Sequence, residues 1–351
     1  MPKISLSSLP VSGLFGLAKP SGPTSMSIIN DVKVLISQSR LFVEASKLEK
    51  SKGQKPTRKH TRGSIKIGQG GTLDPLADGV LGEEYLSLDA TSFLRKFVGL
   101  VVGVGKGTKK LSDFLDCTKE YRTTCLLGCE TDTYDSEGAR VRTAPWQHVT
   151  REKVESALAQ FTGEIQQTPP IFSALKMDGR PLYEYARKGI PLPRPIESRK
   201  VTVHSLELVD WLGTDHSYRW PEKLFSEEEK KAMETALKGA ESDVSLKDDL
   251  DPATVVDIPT AFVLKMKVSG GTYVRSIVHD LAHSLGSAGH VVTLTRSRQG
   301  RFALEPMEEG DFDCVPWDIL QRASTEPGDI DEEGWTEWER EVIKRLDVVD
   351  T

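Results

Sequence analysis

Apolar residues along the chain fall into short blocks whose spacing alternates between the strand period and the helix period. The apolar run at 14–18 is closed by Lys19-Pro20-Ser21-Gly22-Pro23, turn chemistry that predicts a strand and then a loop. Ser25 is the expected cap of a following helix, with Ile28, Ile29, Val32, Leu35 and Ile36 on one face. Tyr121, Thr123, Cys125 and Leu127 alternate with more polar neighbours, which predicts a strand, and 131–138 reads as a polar turn. Thr150 is placed to cap a helix with Val154, Ala157, Leu158 and Phe161 inward, broken by Thr168-Pro169-Pro170. Leu182, Tyr185 and Ala186 mark a short helix ended by Gly189, and 201–209 is a strand.

Towards the C-terminus, Phe262, Leu264, Met266 and Val268 alternate with Lys265 and Lys267, a strand with one wet face. After the Gly270-Gly271 turn, Val274, Ile277, Val278, Leu281, Ala282 and Leu285 repeat at helical spacing up to Gly286. A last helix carries Trp335, Trp338, Val342, Ile343 and Leu346, with Thr336 and Glu339 as its capping box. One interval breaks the pattern. With 82–100 removed, Gly79-Val80-Leu81 runs into Val101-Val102-Gly103-Val104 as one buried strand, so that stretch reads as an insertion, most simply a retained intron. The acidic interval 211–259 reads as a second insertion, with one helix starting at Ser226 and boxed by Glu229.

With 351 residues, 38% hydrophobic and 28% charged, the chain is long enough for a substantial core and has the balance of a soluble globular protein. It contains no apolar run of the roughly 18–20 residues that a membrane helix needs. Cys117, Cys125, Cys129 and Cys314 lack zinc-ligand spacing and are expected as reduced thiols in or near the core. The net charge of −6 argues against a polyanionic partner until its distribution is considered. Lys47, Lys50, Lys52, Lys55, Arg58, Lys59, Arg62 and Lys66 share one stretch, able to contact phosphates whatever the total charge.

The loop Gly68-Gln69-Gly70-Gly71-Thr72-Leu73-Asp74-Pro75-Leu76-Ala77-Asp78-Gly79 is the strongest candidate for chemistry. Its glycines permit positive φ and close backbone approach, and Pro75 restricts Asp74, leaving a held carboxylate as a candidate nucleophile or base. The glycines and lysines at 103–110 suggest a phosphate loop but miss its G-x-x-x-x-G-K-[ST] spacing.

The 68–79 loop resembles the catalytic G-G-T-L-D-P-L-A motif of the TruB family of pseudouridine synthases, above all its eukaryotic T-loop enzymes. Further matches follow in family order: Lys19-Pro20-Ser21-Gly22, Tyr121-Arg122, Ser173-Ala174-Leu175-Lys176, the block from Leu182 to Gly189, Gly271-Thr272-Tyr273-Val274-Arg275, and Leu294-Thr295-Arg296. The resemblance implies an α+β pseudouridine synthase fold, a mixed and largely antiparallel sheet with surrounding helices and an RNA-binding cleft. The catalytic domain is expected at 14–310, with insertions at 40–66, 82–100 and 211–259. A tail with a short helix is expected at 311–351, with no clear PUA domain.

The resemblance also assigns roles. Asp74 becomes the carboxylate that assists glycosidic cleavage, Arg275 its charge-assisted partner, and Tyr121 a ring stacked on the target base. Lys19, Gln69, Gly70, Gly71, Thr72, Tyr273 and Leu294 become substrate-binding residues. The implied reaction isomerises uridine 55 in the T-loop of tRNA without cofactor or metal. The implied partners are the tRNA T-arm and mRNA with T-loop-like structure, met by a monomer off the membrane, in the nucleus or mitochondrion. The alternative is a non-catalytic RNA-binding or RNA-folding protein that retains the family fold. Gln69 stands where the family usually has a stacking His, a change that predicts weaker RNA engagement.

Overall fold

A computed structural model describes residues 9–51, 65–71, 98–173, 175–237, 247–250, 257–326 and 328–349. The chain forms two compact units, one from 1–79, 89–120 and 295–351, the other from 80–88 and 121–294. Two of the boundaries, after 120 and after 294, fall inside the strands Lys119–Leu127 and Gly289–Gln299. Sheets flanked by helices make up both, the α+β class expected.

In the first unit the strand Gly13–Lys19 is buried at every position. It pairs antiparallel with Val98–Val104, which in turn pairs with Ile67–Gln69. On its other side it runs parallel to Phe312–Pro316, and Phe302–Ala303 follows, again parallel. Side chains alternate across the pleat, so one sequence serves two cores. Phe15, Leu17, Leu100, Val102 and Val315 pack with Ile28, Val32 and Ile36 of the helix Ser25–Gln38 and with Trp317 and Trp338. Leu14 and Val101 face the other way, onto Leu111, Phe114 and Phe302.

Three expectations change here. The cap of the first helix is Thr24, which accepts from the Ser27 amide at 3.1 Å, while Ser25 is already helical and buried. The expected tail at 311–351 is part of the core: it supplies Phe312–Pro316, the helices Trp317–Thr325 and Glu337–Arg345, and a short strand Asp347–Val348 against Gly13 and Leu14. Its last helix does carry the Thr336/Glu339 capping box. The expected insertion at 82–100 overlaps the sheet, because Val98, Gly99 and Leu100 pair with Lys19, Ala18 and Leu17; 82–97 lies outside the described residues. Of the glycine-rich 103–110 stretch, Gly103 and Val104 end the strand Val98–Val104 and Gly105–Lys110 is a 3-10 turn, in which a Cβ on Gly107 would sit 2.1 Å from the Gly13 carbonyl oxygen. Close packing accounts for that glycine.

In the second unit the strands lie in the order 289–294, 121–127, Ala261–Val268, Arg199–Gly213 and Gly163–Gln167. The alternation read at 121–127 does not persist, since every residue from Thr123 to Leu127 is buried. The threonines are tolerated because they bond across the strands: Thr123 Oγ1 donates to the Thr293 carbonyl at 2.8 Å, and Thr293 Oγ1 to Thr124 Oγ1 at 2.7 Å. Lys265 does face solvent from Ala261–Val268. The helix capped by Thr150 ends at Phe161 through a 3-10 turn, and the strand Gly163–Gln167 comes before the prolines expected to stop it. The helices Leu182–Lys188, closed by Gly189, and Glu227–Leu237, with reciprocal Ser226 and Glu229 bonds, form as expected. So does Val274–Ser284, which buries Val274, Ile277, Val278, Leu281 and Ala282.

One ion pair fixes the end of the first unit's sheet. Arg298 grips Asp311 through both arms, Nη1 to Oδ1 at 2.6 Å and Nη2 to Oδ2 at 2.7 Å, and the amides of Met307 and Glu308 also donate to Oδ2. The guanidinium holds the Asp311 carboxyl well below the usual carboxylate range. Arg298 also stands 3.6 Å from Glu120 Oε1 and 3.8 Å from Glu308 Oε2, so Asp311→Ala removes charge-assisted hydrogen bonds without isolating the guanidinium and is expected to destabilise the protein by about 2 kcal/mol, read as a lower urea midpoint at neutral pH. The pair's contribution is present above the ordinary aspartate pKa and lost as pH falls through the depressed one, so the difference between wild type and variant should shrink in strong acid.

Candidate active site

Gln69 ends the strand Ile67–Gln69, and the chain turns at Gly70 and Gly71. The Gly70 amide donates to the Val101 carbonyl at 2.9 Å, one last rung of the ladder. Gly71 has φ +107°, a conformation that excludes other residues without strain. Gln299, fully buried, donates from Nε2 both to the Gly70 carbonyl and, at 2.8 Å, to that of Phe114. The start of the loop is therefore tied to a strand more than two hundred residues later in the sequence. Thr72 and Asp74 lie outside the described residues. Gln69 Nε2 approaches Met26 Sδ at 3.8 Å. Lys19 corrects an expectation: its side chain is fully buried and donates to the Pro20 carbonyl at 2.8 Å, so it does not present an exposed phosphate contact.

The second unit places Arg275 and Tyr273 at one helix end. Tyr273 is the N-cap of Val274–Ser284, and Gln167 reads its backbone twice, accepting from its amide at 2.7 Å and donating to its carbonyl at 2.9 Å. The Arg199 guanidinium lies 4.9 Å over the Tyr273 ring. Arg275 is buried in the first turn and is met by the loop that follows Thr131. Its Nη1 donates to the Thr133 carbonyl at 2.6 Å and stands 3.2 Å from Asp135 Oδ2. Asp135 is buried too, and its other oxygen accepts from Thr133 Oγ1 at 2.6 Å and from the Glu137 amide at 3.1 Å. Within this loop Tyr134 takes φ +61°, left-handed backbone that an aromatic residue rarely adopts. Its ring stacks on His279 at 3.9 Å, one turn beyond Arg275 on the same helix face.

Tyr121 and Leu294 sit on neighbouring strands beside the Thr123–Thr293 contact, and both are buried. Of the residues that fix these groups, Gln167, Asp135 and Gln299 carry no signal in the sequence pattern. Asp135 lay inside a stretch read as a polar turn, and its burial depends on an arginine far along the chain. Gln167 and Gln299 are uncharged and end ordinary strands, with no local pattern to distinguish them.

The model for the "TruB family pseudouridylate synthase (N terminal domain)" matches residues 99–220. The tRNA pseudouridine synthase 4 of Schizosaccharomyces pombe is 36% identical, covering 86% of this chain and 81% of its own. The tRNA pseudouridine synthase 4 of Saccharomyces cerevisiae is 32% identical over 84% of this chain and 78% of its own. The human pseudouridylate synthase TRUB1 is 31% identical over 92% of this chain and 72% of its own. The chain belongs to the TruB family of pseudouridylate synthases. In this member of the TruB family, two of the family motifs, Gly70-Gly71 and Tyr273-Val274-Arg275, are each secured by a buried amide side chain.

Burial also sets the titration of the second unit. His290, fully enclosed, bonds through Nδ1 to the Cys129 carbonyl at 2.9 Å, and since a carbonyl only accepts, Nδ1 carries the proton. Desolvation, offset in part by that bond, lowers its pKa to about 4. A histidine lowered in the folded state contributes stability that is complete above its unfolded pKa and is lost as pH falls. Unfolding free energy should therefore decline between about pH 6.5 and pH 4, with His290→Gln showing a shallower decline in urea melts taken across that range.

Proposed function

We propose that this chain converts uridine 55 in the T-loop of tRNA to pseudouridine, with Asp74 as the catalytic carboxylate. The reading rests on family membership together with one observation, a buried arginine in the G-T-Y-V-R motif held in a fixed orientation by Asp135 and the Thr133 carbonyl. The isomerisation needs no outside reactant. The N1 glycosidic bond breaks, the uracil turns, a bond forms from C5 to the same ribose carbon, and the C5 proton is exchanged for one on N1.

Asp74 assists the cleavage, either by attacking covalently or by abstracting a ribose proton. A guanidinium has five donors, so Arg275 can hold Asp135 and a second carboxylate together, keeping Asp74 ionised and aimed. Tyr121 stacks on the extruded base, and Tyr273 and Leu294 wall its pocket. Gln69, Gly70, Gly71 and Thr72 line the approach of the RNA. The same chemistry extends to mRNA segments folded like a T-loop, since the loop's shape is what presents the uridine.

The test is product mapping on unmodified tRNA with the purified full chain. Wild type should yield pseudouridine at position 55. Asp74→Asn should reduce the rate by about 1,000-fold, the scale of a positioned acid–base group, while binding tRNA as wild type does. Equal product from both proteins rules out Asp74 as the catalytic group, and tRNA binding without any product from wild type leaves the RNA-folding reading.

A further inference from the structure

Glu130, His279 and His283 form a cluster that the isomerisation does not use. One ligand-capable atom from each lies within 4.8 Å of the others. His283 Nε2 is 2.9 Å from Glu130 Oε2, and His279 Nδ1 is 3.8 Å from Glu130 Oε1. The two imidazoles project from one face of Val274–Ser284 at the four-residue spacing that lets a helix offer two rings to one ion, with centroids 4.2 Å apart. Glu130 comes from the strand Cys129–Thr131 opposite, its side chain only 6% exposed.

A hydrogen-bonded pair accounts for only half of this arrangement. It satisfies His283 and Glu130 but leaves His279 Nδ1, a buried atom turned towards the cluster, with no hydrogen-bond partner among the described residues. A donor–acceptor pair at 3.8 Å is not a hydrogen bond. A metal ion fits both distances better. Tetrahedral zinc with bonds near 2.0–2.1 Å sets its ligand atoms about 3.3 Å apart, and the observed 2.9 and 3.8 Å bracket that value.

The surroundings suit a metal site. The Tyr134 ring stacked on His279 fixes its plane. Arg142 stands 3.6 Å from Glu130 Oε2, but its charge is shared with Asp249, 3.1 Å from its Nη2.

We propose that Glu130, His279 and His283 bind a divalent transition-metal ion of the zinc type, with water completing the shell. The ion is structural. It ties the segment before Asp135 to the helix that carries Arg275, a second rung beside the Arg275–Asp135 contact. This assignment stands apart from the catalytic reading, because it concerns ion uptake and stability only.

The experiment uses the untagged full chain, stripped with chelator and titrated with Co²⁺ followed by Zn²⁺. One ion per chain is expected, with the visible absorption of tetrahedral cobalt displaced by zinc, and a melting temperature that rises with zinc. His283→Ala, at a partly exposed position, and Glu130→Gln should each weaken binding on the order of 100-fold and abolish the zinc-dependent rise in melting temperature. Wild type that takes up no ion overturns the assignment however the variants fold, and so does uptake that neither substitution changes.

Discussion

A charged guanidinium that has lost its water must be met on fixed terms, and Arg275 imposes that constraint on the second unit. Its Nη1 contacts come from one short loop, the Thr133 carbonyl and the Asp135 carboxylate, so a shift of the loop breaks both at once. Such a pair adds little net stability compared with apolar packing of the same volume, because both ions were desolvated to make it. What it secures is register. Thr131 Oγ1 holds the Asp135 carbonyl at 2.7 Å, the Ser136 amide reaches the Val291 carbonyl at 2.9 Å, and Tyr134 is kept in left-handed backbone. Strain of this kind persists only where its surroundings over-determine it.

The same logic governs the glycine loop of the first unit with neutral groups. Gly70 ends a ladder, and its carbonyl would lack a strand partner once the chain turns at Gly71. Gln299 supplies the donor from a different strand, and the same amide nitrogen caps the Phe114 carbonyl. In the second unit Gln167 does the equivalent for both backbone groups of Tyr273. A glutamine end-on to a strand can stand in for a missing neighbour because its amide repeats the donor and acceptor of the peptide itself.

Those facts decide what could be read from the sequence. Periodicity located Gly13–Lys19, Ala261–Val268 and Val274–Ser284, because each carries an apolar run or repeat that is complete within its own short segment. It found the strand Lys119–Leu127 but not its full burial, since threonines satisfied by Thr293 are buried there and a polar letter no longer means an exposed position. It missed Gly163–Gln167, whose alternation is interrupted by charged and amide residues at an edge. The region from Asp311 read as a tail because its strand is only five residues long, and the parallel partner that makes it a core element lies near the N-terminus. Motif resemblance brought out Arg275 and Tyr273, but the side chains that hold them carry no motif of their own.

The strand Val98–Val104 shows how an interruption can be accommodated beside a glycine loop. Its first residues, Val98-Gly99-Leu100, pair with Lys19, Ala18 and Leu17, and Leu100 is fully buried. Were 82–100 absent, Gly79-Val80-Leu81 would enter the same three places, with Leu81 replacing Leu100 like for like. Val80 would replace Gly99, where an added Cβ meets Cys314 Sγ at 3.7 Å and the Arg296 carbonyl oxygen at 3.8 Å, ordinary contact distances. Arg296 binds this position through the backbone, donating from Nε at 3.1 Å and Nη2 at 2.8 Å to the Gly99 carbonyl, an interaction blind to the side chain. At the start of this strand a Cβ at position 99 meets only ordinary contacts, Leu100 fills the core, and the Arg296 bonds ask only for a backbone carbonyl.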